Sequence, residues 1–292
     1  MLTEILINSI ISGLLLSLVA IGFGIIFHTT KVFHLVHGAF YVYIPYIIWS
    51  LSQDGASIGN HFLLLFPALL LAIILVYAIE KLVYLPLHKN GSNQTISLIS
   101  SLGAYIFLVN SLTFIFGNES ITLNNESQIF LPDSVFRITS SELIQVAVSF
   151  IVLIAIFFLS KSGVYKRVRA VSDNPTVAKK FGISVVKSRV VALIIGTVLV
   201  SISGFLKSID VAVDAHSGMG ITLAAAVAVI IGGEMSIKGT LFVCFIITLI
   251  QNFSVLIIPS KWEESIVYIL LMVVMIFFSR GLISNKLRVE TR

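Results

Sequence analysis

Six apolar segments close to membrane-spanning length constrain this chain more than any other feature of its sequence. They occupy residues 5–27, 62–84, 95–116, 143–159, 190–206 and 266–278. A helix needs about 20 residues to cross the hydrocarbon core of a bilayer. Apolar residues fill 57% of the 292 positions and charged residues only 11%, which is more apolar surface than a soluble core needs. We therefore expect a helical protein whose solvent is the membrane.

Two further apolar stretches affect the number of spans. Residues 38–51 are short and contain Pro45, whereas residues 218–258 are too long for one span and are interrupted at 232–239 by glycines and charged residues. We interpret the longer stretch as two helices joined by a tight turn. The prediction is an all-α membrane protein, a single bundle of about nine transmembrane helices over residues 1–292, with eight or ten also open.

Lysine and arginine residues collect on one side of this predicted bundle. With the N-terminus outside the cell, all of them except Arg137, Lys207 and Lys261 fall on the inner side. Because basic residues favour cytoplasmic loops, we expect the C-terminus in the cytoplasm. Two connections are longer than turns, residues 117–141 outside and 160–188 inside. The scattered basic residues form no dense patch of the kind that binds nucleic acid.

The inner loop contains the start and stop signals of a short helix. Asn174 suits the N-cap, and Pro175 suits the first helical position, where a backbone N–H would be unpaired anyway. Gly182 suits the left-handed position after the last turn. The sequence predicts two helical turns between these residues.

One face of this predicted helix is apolar. Val177 and Phe181 share a stripe at helical spacing with Ala178 beside it, and Lys179 and Lys180 fall away from the stripe. An isolated helix this short is marginal in water, so it must dock on something. Either the stripe folds back on the bundle while the lysines meet lipid headgroups, or it inserts into a groove of a cytoplasmic partner.

The same segment resembles a known family, the LivH-type permease subunits of ABC importers for branched-chain amino acids and related amides. The residues that carry the resemblance are Arg169, Ala170, Asn174, Pro175, Val177, Ala178, Phe181, Gly182 and Ile183. It extends to Asn8, Gly13, Ala20, Gly22, His37, Gly38, Pro86, Leu87 and residues 229–233, and so covers nearly the whole chain. The chain departs from the family pattern at residues 34–36, and Met235 and Lys238 replace a usual glycine and proline.

The resemblance implies a bacterial inner-membrane permease in which residues 160–188 form a cytoplasmic coupling loop that contacts the ATPase. It implies as partners a second permease subunit, homologous or identical, two cytoplasmic ABC ATPase subunits, and a periplasmic or tethered solute-binding protein. The expected cargo is a branched-chain or other neutral amino acid, with urea or a short amide as the alternative. No cofactor is expected on this chain, because ATP would be bound by the partner subunits.

The sequence also bears on the energy source. A phosphate-binding P-loop requires a Gly-Lys pair, and the chain contains none, so we expect neither an ATPase nor another enzyme. No charged residue lies near the middle of the six segments, which disfavours an ion-coupled secondary carrier. That alternative stays open, since backbone carbonyls of broken helices also bind coupling ions.

Polar and glycine residues within the spans are candidates for the translocation path. We predict that it includes Gly13, Ser17, Gly22, His37, Gly38, Gly232 and Gly233, although such glycines more often serve close helix packing. Further polar candidates are Asn110, Thr113, Thr248, Gln251 and Asn252.

Titratable residues at the predicted inner surface have structural explanations. We predict no metal site at His28, His34 and His37, because hydrogen-bonded histidines are the commoner outcome and no carboxylate is close in sequence. Glu80 and Lys81 close a span, and we expect both to extend toward the lipid headgroups.

Overall fold

The structure is a computed structural model that describes residues 2–52, 57–89, 91, 93–123, 138–233, 236–256, 265, 268, 269, 272 and 273. The helices are α1 (Leu2–Thr30), α2 (Val36–Leu51), α3 (Ile58–Ile79), α4 (Leu85–Lys89), α5 (Gln94–Phe116), α6 (Ser140–Lys161), α7 (Gly163–Asp173), α8 (Pro175–Lys180), α9 (Val185–Ser208), α10 (Ser217–Gly232) and α11 (Ile237–Ser254). A π-helical turn, Glu80–Tyr84, joins α3 to α4 without a break. The described residues are thus helical almost throughout.

Six of these helices are long and apolar enough to cross a membrane. They are Leu2–Thr30, the continuous helix Ile58–His88, Gln94–Phe116, Ser140–Lys161, Val185–Ser208 and Ile237–Ser254. The first five contain five of the predicted spans, whereas most of the predicted span 266–278 lies outside the described residues. The apolar helices α2 and α10 are shorter. The all-helical prediction is confirmed, and the total of nine spans is not.

Helix α1 is the centre of the bundle. It packs against α9, α10 and α11 on one side and against α6 and α7 on another. In its most apolar window 83% of the residues are buried, whereas the corresponding share for α6 is 17%. A helix that is apolar all round and enclosed by others is a core helix, so α6 faces lipid and α1 does not.

Glycines allow the central helices to cross at close range. A Cβ on Gly22 of α1 would lie 2.9 Å from the carbonyl oxygen of Gly196 in α9. A Cβ on Gly38 of α2 would meet the carbonyl oxygen of Gly218 in α10. A Cβ on Gly218 would likewise meet the carbonyl oxygen of Gly38. Close backbone approach through small residues is a main source of helix association in membranes.

The two ends of the bundle differ in charge. The end that carries α7 and α8, here called the basic end, holds Lys31, Lys81, Lys161, Lys166, Arg167, Arg169, Lys179, Lys180, Lys187, Arg189 and Lys238. The opposite end, here called the acidic end, holds Glu4, Glu119, Glu142, Asp210 and Asp214, with Lys207 as the one lysine or arginine among its described residues. A bridge between Ile121 and Val213 ties two connections together at the acidic end.

Candidate functional site

The short helix α8 forms at the position that the sequence predicts. The Asn174 side-chain oxygen accepts hydrogen bonds from the backbone N–H groups of Thr176 and Val177, both at 3.0 Å. Pro175 occupies the first turn. These contacts satisfy N–H groups that have no partner inside the helix.

The other end of α8 is closed by the glycine. Gly182 has φ +77°, and its N–H donates to the Lys179 carbonyl at 3.1 Å. The N–H of Ile183 donates to the Ala178 carbonyl at 3.0 Å. This pair of bonds is the Schellman arrangement, which stops a helix and fixes the direction of the chain beyond it.

The structure orients the apolar face of α8 outward. Ala178 is 3% exposed and lies against the bundle, whereas Val177 is 43% exposed and Phe181 81% exposed. Val177 and Phe181 therefore do not fold back on the described part of the bundle. Lys179 and Lys180 are also exposed, beside the apolar pair.

A second helix of the inner loop, α7, was not foreseen from the sequence. Ser162 caps it by accepting a hydrogen bond from the N–H of Tyr165, and Tyr165, Val168 and Val171 turn inward. The sequence does contain a signal for this helix, because a possible N-cap serine is followed by apolar residues three positions apart. Ser172 donates to the His28 carbonyl at 3.0 Å and thereby ties the loop to α1. Burial raises the pKa of the Tyr165 hydroxyl, and the charge of Arg169 opposes that rise.

The two other coupling-loop residues of the prediction flank these features. Arg169 is exposed on α7, and Ala170 is half-buried beside it. The segment 169–183 is therefore one continuous surface element at the basic end, with α8 as its outermost part.

The predicted path residues lie at helix crossings. Gly13 faces Phe245 and Thr248 of α11, and Gly232 faces the backbone of Gly239 and Thr240. The Ser17 hydroxyl donates to the Leu14 carbonyl within its own helix at 2.6 Å. A ring nitrogen of His37, Nε2, lies 3.1 Å from the Val19 carbonyl oxygen. Gly233 ends α10 with φ +88°.

A cavity of about 350 Å³ opens among α1, α2, α9, α10 and α11 at the acidic end. Apolar residues form much of its wall, namely Leu15, Leu16, Val211, Ala212, Val213, Ile221 and Ala224. Its other lining residues are Ser12, Tyr41, Lys207, Ser217, Gly220, Thr248, Gln251 and Tyr268. Small-molecule sites in proteins occupy roughly 300–1,000 Å³ and combine an apolar wall with a few polar groups. None of the seven predicted path residues lines this cavity.

One polar group in the cavity wall is available to a ligand. Tyr41 is only 6% exposed, and its hydroxyl has no hydrogen-bond partner within the described residues. By contrast, the Thr248 hydroxyl is already bonded to the Ser9 carbonyl at 3.0 Å. The polar candidates Thr248 and Gln251 line this cavity, whereas Asn110 bonds the Ile106 carbonyl of its own helix.

The three histidines at the basic end do not converge on one site. His34 Nδ1 lies 2.8 Å from the Tyr84 hydroxyl, while the ring centroids of His34 and His37 are 6.5 Å apart. Among the described residues no group of three side chains is arranged to hold a metal. Burial lowers the pKa of His34 to about 3, and the nearby His37 adds to the decrease.

The expectation for Glu80 is wrong. Lys81 is exposed, as expected, but Glu80 is only 3% exposed and points into the bundle. Glu80 continues the buried face of α3, on which Ala72 and Val76 precede it at four-residue spacing. The predicted turn residue Glu234 lies outside the described residues.

Comparisons with known proteins agree over the length of the chain. The family described as branched-chain amino acid transport system / permease component matches residues 5–278. The high-affinity branched-chain amino acid transport system permease protein BraD of Pseudomonas aeruginosa is 24% identical over 296 residues, 96% of this chain and 95% of that protein. LivH, the corresponding protein of Escherichia coli strain K12, is 24% identical over 295 residues, 95% of this chain and 94% of its own length. Among solved structures, PsaBC from Streptococcus pneumoniae in complex with Fab covers 91% of this chain and 89% of that chain at 17% identity, with a TM-score of 0.48.

Proposed function

Since this chain belongs to the family of permease components of branched-chain amino acid transport systems, we propose that it carries a neutral amino acid and receives its driving force through α8. It is a multi-pass transmembrane permease subunit of an ABC importer and not an enzyme. Such an importer also has ATPase and solute-binding components, and α8 is our candidate contact for the first of these.

Docking of the ATPase on α8 is supported by one observation above all. Val177 and Phe181 form an exposed apolar pair on a helix that is capped at both ends. A short amphipathic helix with anchors four residues apart suits a groove in a partner. The caps hold this helix in place before binding, which reduces the entropy lost on docking.

The charge distribution supports an orientation. Basic residues favour the cytoplasmic side of a membrane protein, so the basic end, with α7 and α8, faces the cytoplasm. The acidic end then faces the solute-binding protein. With a final span at residues 266–278, the C-terminus would lie in the cytoplasm.

The assembly contains two permease chains, two ATPase subunits and a solute-binding protein. The second permease is a homologue or a second copy of this chain, and each permease presents one α8 to one ATPase. The extracytoplasmic loop of this proposal is residues 117–141, whose described parts, 117–123 and 138–141, belong to the acidic end. Nucleotide is bound by the ATPase subunits, and this chain needs no cofactor of its own.

The cavity at the acidic end supports an amino acid as cargo. Its size suits a small solute, and its apolar wall, with Leu15, Leu16 and Ile221, suits a branched aliphatic side chain. The Tyr41 hydroxyl supplies a polar partner for a carboxylate. Urea or a short amide would leave the apolar wall without a contact, so it is the second candidate.

Transport by a reconstituted importer tests the function directly. We expect proteoliposomes that contain this chain and its ATPase to take up leucine or valine when ATP and the solute-binding protein are present. Uptake that persists without ATP, or by this chain alone under a sodium or proton gradient, would contradict the proposal. Uptake of urea in preference to both amino acids would overturn the cargo.

A pair of matched variants tests the docking surface. Phe181→Ser removes the most exposed apolar side chain of α8, so we expect much less ATPase to co-purify. Lys180→Ser, one position earlier and also exposed, should keep most of the association. Equal recovery of the ATPase from both variants would show that α8 does not carry the contact.

A further inference from the structure

Glu80 occupies an environment that does not suit a carboxylate. It is 3% exposed, and its Oε1 atom has no hydrogen-bond partner within the described residues. The two adjacent hydroxyls are engaged elsewhere, because the Tyr84 hydroxyl is paired with His34 Nδ1 and the Thr30 hydroxyl donates to the Ile26 carbonyl at 2.8 Å, while the adjacent His34 Nε2 atom also has no partner among the described residues. A buried carboxyl group without a partner is costly, whether it is charged or neutral.

The space around Glu80 is closely packed. It is enclosed by Thr30, Val32, His34, Tyr84, His88 and Leu193, and it leaves no room for a water molecule. The Oε1 atom of Glu80 is therefore left without a hydrogen-bond partner from the described residues or from water in this conformation.

A second unsatisfied group of opposite charge lies nearby. Arg189 interacts electrostatically with Glu80 and with His88, yet its buried Nε atom has no hydrogen-bond partner among the described residues. Glu80 and Arg189 are thus close enough to attract each other without satisfying these two atoms.

The positions of the two residues relate the pair to the transport cycle. Arg189 lies in the first turns of α9, directly after the coupling loop, and the side chain of Ser184 caps that helix. Glu80 lies at the inner end of α3, which packs against α9. A force on α8 therefore moves Arg189 relative to Glu80.

We propose that Glu80 and Arg189 form a direct ion pair in the conformation opposite to this one, in which the cavity at the acidic end is closed. This inference rests on the proposed function, since it requires that the coupling loop moves during transport. In the present conformation each residue holds a buried polar atom without a partner, which raises the free energy of that state. The ion pair satisfies both atoms, so it favours the transition that the ATPase drives. The two residues are positioning residues, because neither contacts the solute.

Glu80 is the first residue of the π-helical turn that joins α3 to α4. Such turns frequently mark functional sites within otherwise regular helices. Here the turn places Glu80 and Tyr84 on the inner face and leaves Leu82 77% exposed.

Charge variants in the assembled importer test the proposal. We expect Glu80→Gln and Arg189→Gln each to lower ATP-driven uptake by about tenfold, within the usual range of conformational coupling. The double exchange, Glu80→Arg with Arg189→Glu, should recover part of the loss because it restores opposite charges. Lys81→Gln, an exposed neighbour, should transport at the rate of the unmodified importer. Normal uptake by Glu80→Gln would overturn the inference.

A distance measurement keeps the inference testable if Glu80→Gln fails to assemble. Cysteines at positions 80 and 189, introduced by Glu80→Cys and Arg189→Cys together with Cys244→Ala, should cross-link at different rates in nucleotide-free and vanadate-trapped complexes. Equal rates would show that the two positions do not move relative to each other. If the unmodified importer itself shows no ATP-driven uptake, the proposed function fails, which is distinct from normal uptake by the variants.

Discussion

Gly182 shows how much depends on one backbone angle. Its φ of +77° is favourable only for glycine and, to a lesser degree, for asparagine. A Cβ added at this position would meet no atom within 4 Å, so any effect of substitution comes from the backbone and not from crowding. The glycine therefore controls where α8 stops and how α9 begins.

Gly182→Val should uncouple ATP hydrolysis from uptake. A β-branched residue in this conformation costs about 1–3 kcal/mol, which is enough to displace the end of α8. Uptake per ATP hydrolysed, measured in proteoliposomes, should fall while membrane insertion is unchanged. Gly182→Asn serves as the control and should retain most of the coupling. Coupling of Gly182→Val equal to that of the unmodified chain would refute the docking role of α8.

His34 should make the protein sensitive to acid. Its folded-state pKa of about 3 lies below the usual 6.5, so between these pH values the unfolded chain binds more protons than the folded chain. The stability that neutral His34 contributes is present above pH about 6.5 and is lost as the pH falls toward 3. In detergent, His34→Gln should show a smaller decrease in Tm between pH 7 and pH 5. The exposed His216→Gln serves as the control, and an unchanged decrease in His34→Gln would contradict this assignment.

The residues that the sequence identified are those governed by local rules. Asn174, Pro175 and Gly182 act through backbone groups within a few positions of themselves, so their roles were predictable. Tyr41 and Glu80 were not, because their importance depends on what distant helices place around them. Burial without a hydrogen-bond partner is a property of the folded chain and leaves no mark in the local sequence.

At the scale of elements, the contact between α2 and α10 depends on two facing glycines. Gly38 and Gly218 bring the two backbones together, and Thr222 lies beside them. The sequence named Gly38 as a path residue with packing as the alternative, and its surroundings are those of a packing contact. The pairing with Gly218 was not predictable, since nothing in a single sequence indicates which glycines meet.

Gly38→Ala should destabilise the protein by about 1–3 kcal/mol, the usual cost of forcing a methyl group into a packed contact. The added methyl would meet the Gly218 backbone and lie 2.6 Å from the Thr222 hydroxyl oxygen. Gly103→Ala in α5 is the matched control, because a Cβ there meets nothing within 4 Å. Thermal unfolding in detergent should show a lower Tm for the first variant only. Equal Tm values would show that α2 and α10 can move apart to admit the methyl group without a loss of stability.

At the scale of the whole molecule, the charge difference between the ends predicts an orientation. The opposing ends were foreseeable from the sequence, because the order of spans and the positions of lysine and arginine can be read along the chain. The cavity at the acidic end was not, since it requires five helices to leave space between them. The positions of the charged residues indicate which end faces the cytoplasm. The size and lining of the cavity depend instead on how the helices pack.

Labelling with a membrane-impermeant thiol reagent should confirm this orientation. In a Cys244→Ala background, Lys166→Cys should react only when the cytoplasmic side is open to the reagent. His216→Cys, at the acidic end and also exposed, should react in intact cells after permeabilisation of the outer membrane. The opposite labelling pattern would reverse the assignment of both ends.

The central position of α1 has a consequence for biosynthesis. Among the described helices the ribosome makes α1 first, but its principal neighbours, α9, α10 and α11, are the last three of them to be made. At 5–20 residues per second, the interval between α1 and α9 is on the order of ten seconds or more. During that time the glycine and serine surface of α1, including Gly13 and Ser17, has no native neighbour to cover it. A nascent chain that stalls before α9 leaves this surface exposed in the lipid, where membrane-embedded quality-control proteases can recognise an unassembled helix.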